Sequence, residues 1–153
     1  MGARSTAREA ALQMLFALDL ANADAERVIA DFWRETPGEP EGRAYADELV
    51  RGIARDLSAT DALIRNASKN WRLERMTRVD RNVLRLGAWE LAHQREVPRA
   101  VILDEAVEIA KRFGNEESGA FVNGVLDRIA DDCGRHDPDR PASGGGTEPS
   151  QEG

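Results

Sequence analysis

Apolar residues recur at helical spacing along most of the chain, and this pattern restricts the fold more than any other feature. Seven segments before residue 130 each carry a stripe of apolar side chains at intervals of three and four residues. Alanine occurs 23 times and leucine 13 times, whereas β-branched residues form short runs that never alternate with polar residues at a period of two. The sequence therefore predicts an all-α bundle of seven helices with short connections and no internal repeat.

Capping residues and glycines predict where several of these helices begin and end. Thr6-Ala-Arg-Glu9 has the form of a capping box at the start of the first helix. Asp24, Ser58 and Thr77 are typical N-caps for the second, fourth and fifth helices. Gly114 is placed to end the sixth helix, and Asn123-Gly124 inside the seventh predicts a close approach of another helix.

The last part of the chain has a different composition. Residues 131–153 carry six acidic residues, two arginines, three prolines and a triple glycine, with no large apolar residue. Such a segment cannot bury enough surface to offset its ordering entropy. We therefore expect a helical domain over residues 1–132 and a disordered acidic tail over residues 133–153. The segment 131–153 accounts for −4 of the formal net charge of −7, so the remainder is close to balanced.

Several classes of protein are excluded by what the sequence lacks. No run of about 18 apolar residues is long enough to span a membrane, and the N-terminus lacks a signal-peptide core, so we expect a cytoplasmic protein. Cys133 is the single cysteine, and His93 and His136 are far apart, so we expect no internal disulfide, no metal site and no cofactor. No nucleophile elbow or phosphate-binding loop is present, so no catalytic residue is assigned. Glu90 on the apolar fifth helix is interpreted as a structural ion-pair or hydrogen-bond partner.

The basic residues are more informative about function. The chain holds 19 arginines and two lysines, and residues 69–85 carry a net charge of +4. Arg78, Arg81 and Arg85 fall on one side of the fifth helix. Two interpretations stay open for this stripe: solvated arginines that pair with surface acids, or a site for RNA phosphates.

Two further features bear on an RNA site. Arg4 and Arg8 lie near the N-terminus of the first helix, where the helix dipole disfavours positive charge, and this placement suggests a functional role. Trp71 lies within the basic window and is suited to stacking on a base, although a core position is the favoured interpretation.

Four motifs follow one another along the chain: Arg4, Arg8, Glu9 and Gln13; Thr77–Leu91 with Val97-Pro98; Asp104–Gly114; and Phe121–Asp127. Their resemblance to the NusB family of transcription antitermination factors covers about residues 4–130. It implies an all-α fold of two helical subdomains without enzymatic activity. It further implies binding to the boxA element of ribosomal RNA transcripts, together with NusE, a small-subunit ribosomal protein, within an RNA polymerase antitermination complex.

The resemblance also implies particular site residues. Arg4 and Arg8 match the RNA-binding part of the family's first helix, and we add Arg78 and Arg81 from the charge pattern.

The matching partner-protein positions are Asp80, Phe113 and Glu117. Ribosomal proteins are basic, so Asp80 and Glu117 supply complementary charge. Phe113, at a helix end, is either an apolar anchor or an ordinary core residue.

Two alternatives belong to other functional classes. A related helical domain precedes ribosomal-RNA cytosine methyltransferases, but this chain contains neither a cofactor loop nor a nucleophilic cysteine of that kind. The other alternative is a structural helical adaptor without RNA contact. The oligomeric state, monomer or homodimer, does not follow from the sequence.

Overall fold

A computed structural model describes residues 2–21 and 23–136, and this part of the chain folds into seven α-helices without strands. A short 3₁₀ turn, Leu73–Arg75, precedes the fifth helix. The all-α prediction is confirmed. The helices are α1 (Ala3–Leu20), α2 (Ala25–Glu35), α3 (Pro40–Arg55), α4 (Leu57–Ala67), α5 (Arg78–His93), α6 (Arg99–Phe113) and α7 (Ser118–Asp132).

Two of the four predicted N-caps are confirmed, whereas Ser58 lies inside α4, which begins at Leu57. The Oδ1 atom of Asp24 accepts a hydrogen bond of 2.8 Å from the backbone N–H of Arg27, and the Thr77 hydroxyl oxygen accepts one of 3.1 Å from the backbone N–H of Asp80. The capping box at Thr6 is wrong. Helix α1 begins at Ala3, and the Thr6 hydroxyl instead donates to the Gly2 carbonyl.

The helices form two groups around one continuous core, in agreement with the two expected subdomains. Helices α1, α2 and α3 pack against each other, and α4, α6 and α7 surround α5. Helix α5 also contacts α1 and α3, so it joins the two groups. The largest fully buried side chains come from both groups and include Leu12, Leu49, Leu84, Leu103 and Leu126.

Close helix crossings occur at two glycines of the core. A Cβ atom added at Gly52 on α3 would lie 2.1 Å from Trp89 of α5, and one added at Gly87 would lie 2.5 Å from Leu126 of α7. The close approach predicted at Gly124 is wrong, because Gly124 is exposed and has no atom within 4 Å of such a Cβ position.

The packed chain continues beyond the end of α7. Arg135 is buried and donates hydrogen bonds to the backbone carbonyls of Leu91 and Val97. Its own carbonyl accepts a 2.6 Å hydrogen bond from Arg99. The described residues therefore remain part of the bundle past residue 133, where the tail was expected to start, and residues 137–153 of that expected tail lie outside the described residues.

Candidate RNA and partner-protein interfaces

Arg8, expected at an RNA surface, lies in the interior. It is 3% exposed, and its Nε and Nη2 atoms donate hydrogen bonds of about 2.9 Å to the two carboxylate oxygens of Glu90. The Tyr45 hydroxyl donates to the same carboxylate. The expectation that Arg8 contacts RNA is therefore corrected: a buried ion pair draws its guanidinium into the bundle, and the structural interpretation of Glu90 is confirmed.

The electrostatics of this buried cluster favour a charged arginine and a neutral tyrosine. Burial alone lowers the pKa of Arg8, but hydrogen bonding to Glu90 and its charge outweigh that effect and leave the pKa of Arg8 raised. Burial, followed by the charge of Glu90, raises the pKa of the Tyr45 hydroxyl well above its ordinary value. The cluster joins α1, α3 and α5 and fixes the first turns of α1 on the bundle.

Arg4 lies one helical turn before Arg8 and reaches the surface. Its side chain is 48% exposed, and the nearest acidic atom, on Glu96, is 3.9 Å away. The Arg4 guanidinium stands over the Tyr45 ring, 4.3 Å from its centroid. Arg4 is thus held by an aromatic face but keeps its hydrogen-bond donors available for a phosphate or base edge.

The predicted arginine stripe on α5 is largely neutralised by acids. Arg85 is buried and makes a bidentate pair with Asp61, at 2.9 and 3.0 Å. Arg81 is partly buried and lies 3.7 Å from Asp19. Arg78 is exposed and has no ion pair within the part of the chain that the structure describes. The pairing with acids in the first interpretation therefore holds for Arg81 and Arg85, but Arg85 and Asp61 are buried and not solvated. Arg78 remains the available cation of the stripe.

A groove between the α5 N-terminus and the α6–α7 connection brings two of the predicted partner residues together. Asp80 and Glu117 both line it. Phe113 is 37% exposed at the end of α6 and stands outside that lining. The connection is ordered by its own hydrogen bonds, since Asn115 Oδ1 accepts from the Glu117 backbone N–H at 2.9 Å and the Asn115 backbone N–H donates to Ser118.

Two aromatic residues, Trp71 and Phe121, also line this groove and were not among the predicted partner residues. Trp71 is 62% exposed, so the favoured core interpretation is wrong, and its ring centroid lies 5.9 Å from that of Phe121 in an edge-to-face arrangement. Trp71 follows Ser68-Lys69-Asn70, a polar run without apolar residues, and this neighbourhood was the available signal for exposure.

Neither a metal cluster nor a membrane-spanning helix is found among residues 2–21 and 23–136. These residues contain no group of three or more histidine, cysteine, aspartate or glutamate side chains placed to hold a metal ion. None of their helices is long and apolar enough to cross a membrane.

Comparison with known proteins identifies the family. The model of the NusB family matches residues 5–131. The chain belongs to the NusB family of transcription antitermination factors. A relative from Sorangium cellulosum (strain So ce56), named transcription antitermination protein NusB, is 75% identical over 140 residues, which cover 92% of this chain and all of the relative. A relative of the same name from Myxococcus xanthus (strain DK1622) is 48% identical, covering 85% of this chain and 96% of the relative.

Solved NusB structures share the fold. The crystal form of T. maritima NusB has a TM-score of 0.78 and 42% identity, and the match covers 84% of this chain and 90% of that one. A crystal structure of the antitermination factors NusB and NusE in complex with double-stranded RNA has a TM-score of 0.79 and 28% identity, covering 86% of this chain and 98% of the matched chain. The NusB fold therefore extends over nearly all the residues that the structure describes.

Proposed function

We propose that this member of the NusB family binds boxA RNA of ribosomal RNA transcripts jointly with NusE and, through that complex, joins the RNA polymerase antitermination assembly. The observation that carries the proposal is the presence of two chemically different surfaces on one bundle. One is the exposed, cationic first turn of α1, and the other is the acidic and aromatic groove beside α5. The family membership and the NusB–NusE–RNA neighbour support this combination. Ribosomal RNA is transcribed in the cytoplasm, so the proposal requires a cytoplasmic protein.

The proposed RNA contacts are fewer than the sequence suggested. Arg4 contributes a guanidinium that is ordered by Tyr45 yet accessible, and Arg78 contributes an exposed one. Arg81 is kept as a weaker RNA contact, because its ion pair with Asp19 is long, at 3.7 Å, and part of its side chain remains exposed. So few phosphate contacts, on a chain with a net charge of −7, give a weak and salt-dependent affinity for the protein alone.

The proposed NusE surface consists of Asp80, Glu117 and the neighbouring Phe113. A basic partner seated there covers two carboxylates that otherwise repel RNA and adds its own positive charge to the assembled surface. The protein and NusE together should therefore bind boxA much more tightly than either does alone.

The decisive experiment is a titration of boxA RNA with the protein, with NusE and with the complex at several salt concentrations. Arg4→Glu should weaken RNA binding by the complex and reduce the salt dependence, because it removes one phosphate contact. Arg27→Glu is the matched control, since Arg27 is 75% exposed and belongs to α2, the helix that follows the C-terminal end of α1. It should leave RNA affinity within about twofold of wild type, as expected for an exposed charge outside the site.

The same variants test the division into two surfaces. Arg4→Glu should leave the affinity for NusE unchanged, whereas Glu117→Lys should lower it without changing the helical circular dichroism spectrum. Equal boxA affinity for the free protein and the complex would refute joint binding. Absence of any RNA binding by the complex would instead favour a structural adaptor.

A further inference from the structure

The chain leaves the described bundle at a fixed position beside the connection between α5 and α6. Arg135 is 4% exposed, and its carbonyl accepts a 2.6 Å hydrogen bond from Arg99 at the start of α6. Its guanidinium donates to the carbonyl of Leu91 in the last turn of α5 and to that of Val97 just before α6. Residues 137–153 therefore continue from a point that is held by buried hydrogen bonds.

The same connection borders the exposed guanidinium of Arg4. Glu96, which precedes Val97, has a carboxylate oxygen 3.9 Å from the Arg4 guanidinium, and this is the single ion pair of Arg4 within the part of the chain that the structure describes. Along side chains and backbone of standard length, the path from Arg135 through Val97 and Glu96 to Arg4 measures about 25 Å. Residues 137–153 are 17 residues, which span up to about 55 Å when extended, so this segment is long enough to reach Arg4.

The segment 137–153 carries the charge that Arg4 attracts. One arginine and four acids give it a net charge of −3, and the acids are Asp137, Asp139, Glu148 and Glu152. It contains no large apolar residue, so its attraction to the bundle is electrostatic. A carboxylate accepts the same paired hydrogen bonds from a guanidinium as a phosphate does. The segment and RNA are therefore alternative ligands of one cation.

Two buried donors beside the exit point also favour an acidic neighbour. Gln94 is 6% exposed and Arg99 is 4% exposed, and the Nε2 atom of Gln94 and the Nε atom of Arg99 have no acceptor within residues 2–21 and 23–136. Arg99 donates to the Arg135 carbonyl, and the Gln94 carbonyl accepts from the backbone N–H of Val97 at 3.1 Å. Buried donors without an acceptor cost free energy, and carboxylates passing this corner would remove that cost.

We propose that the acidic segment 137–153 folds back on the Arg4 surface and competes with RNA for it. The tether makes the competition intramolecular, so the carboxylates act at an effective concentration of the order of millimolar. An RNA with many phosphate contacts displaces the segment, whereas an RNA with few contacts does not, so the segment raises the selectivity for the correct RNA. This inference rests on the proposed function, because Arg4 is its RNA contact.

The test compares wild type with a neutral-segment variant, in which the chain length is kept and the four acids are replaced by their amides: Asp137→Asn, Asp139→Asn, Glu148→Gln and Glu152→Gln. In titrations of boxA RNA with the NusE complex at low salt, this variant should bind about threefold to tenfold more tightly, the effect of one or two exposed ion pairs. The gain should fall below about twofold at high salt, because exposed charges are then screened.

The matched control separates a contact at Arg4 from the general effect of removing negative charge. The four amide substitutions are repeated in the Arg4→Met background, where the competing cation is absent. Competition at Arg4 predicts that they then change RNA affinity by less than about twofold. A gain that is as large as in the wild-type background would show that the segment acts through the overall charge, and it would refute the proposal.

A second measurement detects the contact without RNA. A spin label is attached at Ser150→Cys in the Cys133→Ala background, and the broadening of backbone amide signals in nuclear magnetic resonance spectra is recorded. The amides around Arg4 should be broadened at low salt, and much less at high salt or in the neutral-segment version of the labelled protein. The amide of Arg27, on α2, is the internal reference and should show no such dependence.

The possible outcomes separate the two proposals. Equal RNA affinity of wild type and the neutral-segment variant at low salt would refute the competition while leaving the proposed function intact. If the NusE complex binds no RNA at all, the proposed function fails, and the competition for RNA fails with it. In that case, broadening around Arg4 that disappears in the neutral-segment version would still establish the contact, and equal broadening in both versions would refute it.

Discussion

Replacing Arg8 by methionine is expected to lower the free energy of unfolding by about 3 to 5 kcal/mol, the cost of removing one partner from a buried ion pair. The substitution removes the hydrogen bonds from the guanidinium to both Glu90 oxygens. It leaves the carboxylate in the interior with the Tyr45 hydroxyl as its remaining donor among the described residues. Since domains are stable by about 5–15 kcal/mol in total, the loss would be a large share of the stability.

Arg4→Met provides the matched control, one turn away on the same helix. Its side chain is half exposed, its ion pair with Glu96 is long, and its main contact is the Tyr45 ring. An exposed pair and an exposed cation–π contact each contribute about 1 kcal/mol or less. Both substitutions remove one positive charge from α1, so the difference between their effects on the free energy of unfolding isolates the effect of burial.

The assay is urea unfolding followed by far-ultraviolet circular dichroism at pH 7. Arg8→Met should lower the midpoint at an unchanged denaturant slope, and in a thermal scan it should lower the melting temperature by about 10–15 °C. The double variant Arg8→Met with Glu90→Leu should be more stable than Arg8→Met alone, because no unpaired charge remains. If Arg8→Met lowers the free energy of unfolding by less than about 1 kcal/mol, as is expected for Arg4→Met, the reasoning is refuted. Additive effects of Arg8→Met and Glu90→Leu would refute it as well.

The burial of the Arg8–Glu90 pair also changes how an RNA-binding test at Arg8 is interpreted. Arg8→Glu would place a second carboxylate against Glu90 in the interior, so it should unfold the protein. Loss of RNA binding by that variant would therefore report loss of the fold, and Arg4 is the residue at which an RNA contact can be tested cleanly.

Three further predictions concern the packing of the bundle. The pKa of Tyr45 is raised in the folded protein, so its contribution to stability is complete below about pH 10, the pKa of an unfolded tyrosine, and is lost as the pH rises above that value. The free energy of unfolding of the wild type should therefore fall above about pH 10, and that of Tyr45→Phe should fall less. Gly52→Ala should destabilise the protein by about 1–3 kcal/mol or more in urea unfolding, because its Cβ atom would overlap the Trp89 ring. Arg135→Met should cost about 2 kcal/mol in the same assay, because two buried backbone carbonyls lose their donor.

Each of these predictions has an internal control. The sequence contains a single tyrosine, so tyrosinate absorbance reports Tyr45 alone, and ionisation near pH 10 in the folded protein would contradict burial. Gly124→Ala should be neutral or stabilising, since that site is open and alanine favours a helix. His136→Ala, at an exposed neighbour of Arg135, should leave the melting temperature unchanged, and an equal loss in both variants would contradict the role of Arg135.

Local chemistry made much of the helical architecture predictable from the sequence. The side chains of Asp24 and Thr77 each accept a hydrogen bond from the backbone N–H three residues later in the chain. Their roles as caps therefore depend on a few neighbouring residues and could be predicted from the sequence. The start of α1 was misread because Thr6 has the chemistry of a cap but lies inside a helix that already began at Ala3. The predicted partner positions Asp80 and Glu117 followed from a resemblance, and the fold brings these two residues to one groove.

The tertiary structure alone decided which arginines are available for binding. Arg4 and Arg8 are one turn apart and look alike in the sequence, but Glu90, which buries Arg8, lies 82 positions away in the chain. Similarly, Arg85 on the basic stripe is neutralised by Asp61, which comes from α4. A charge pattern gives the side of a helix on which a residue lies, whereas burial and pairing depend on the helices packed against that side. The availability of a charge is therefore a property of long-range contacts, and these form only when the whole bundle folds.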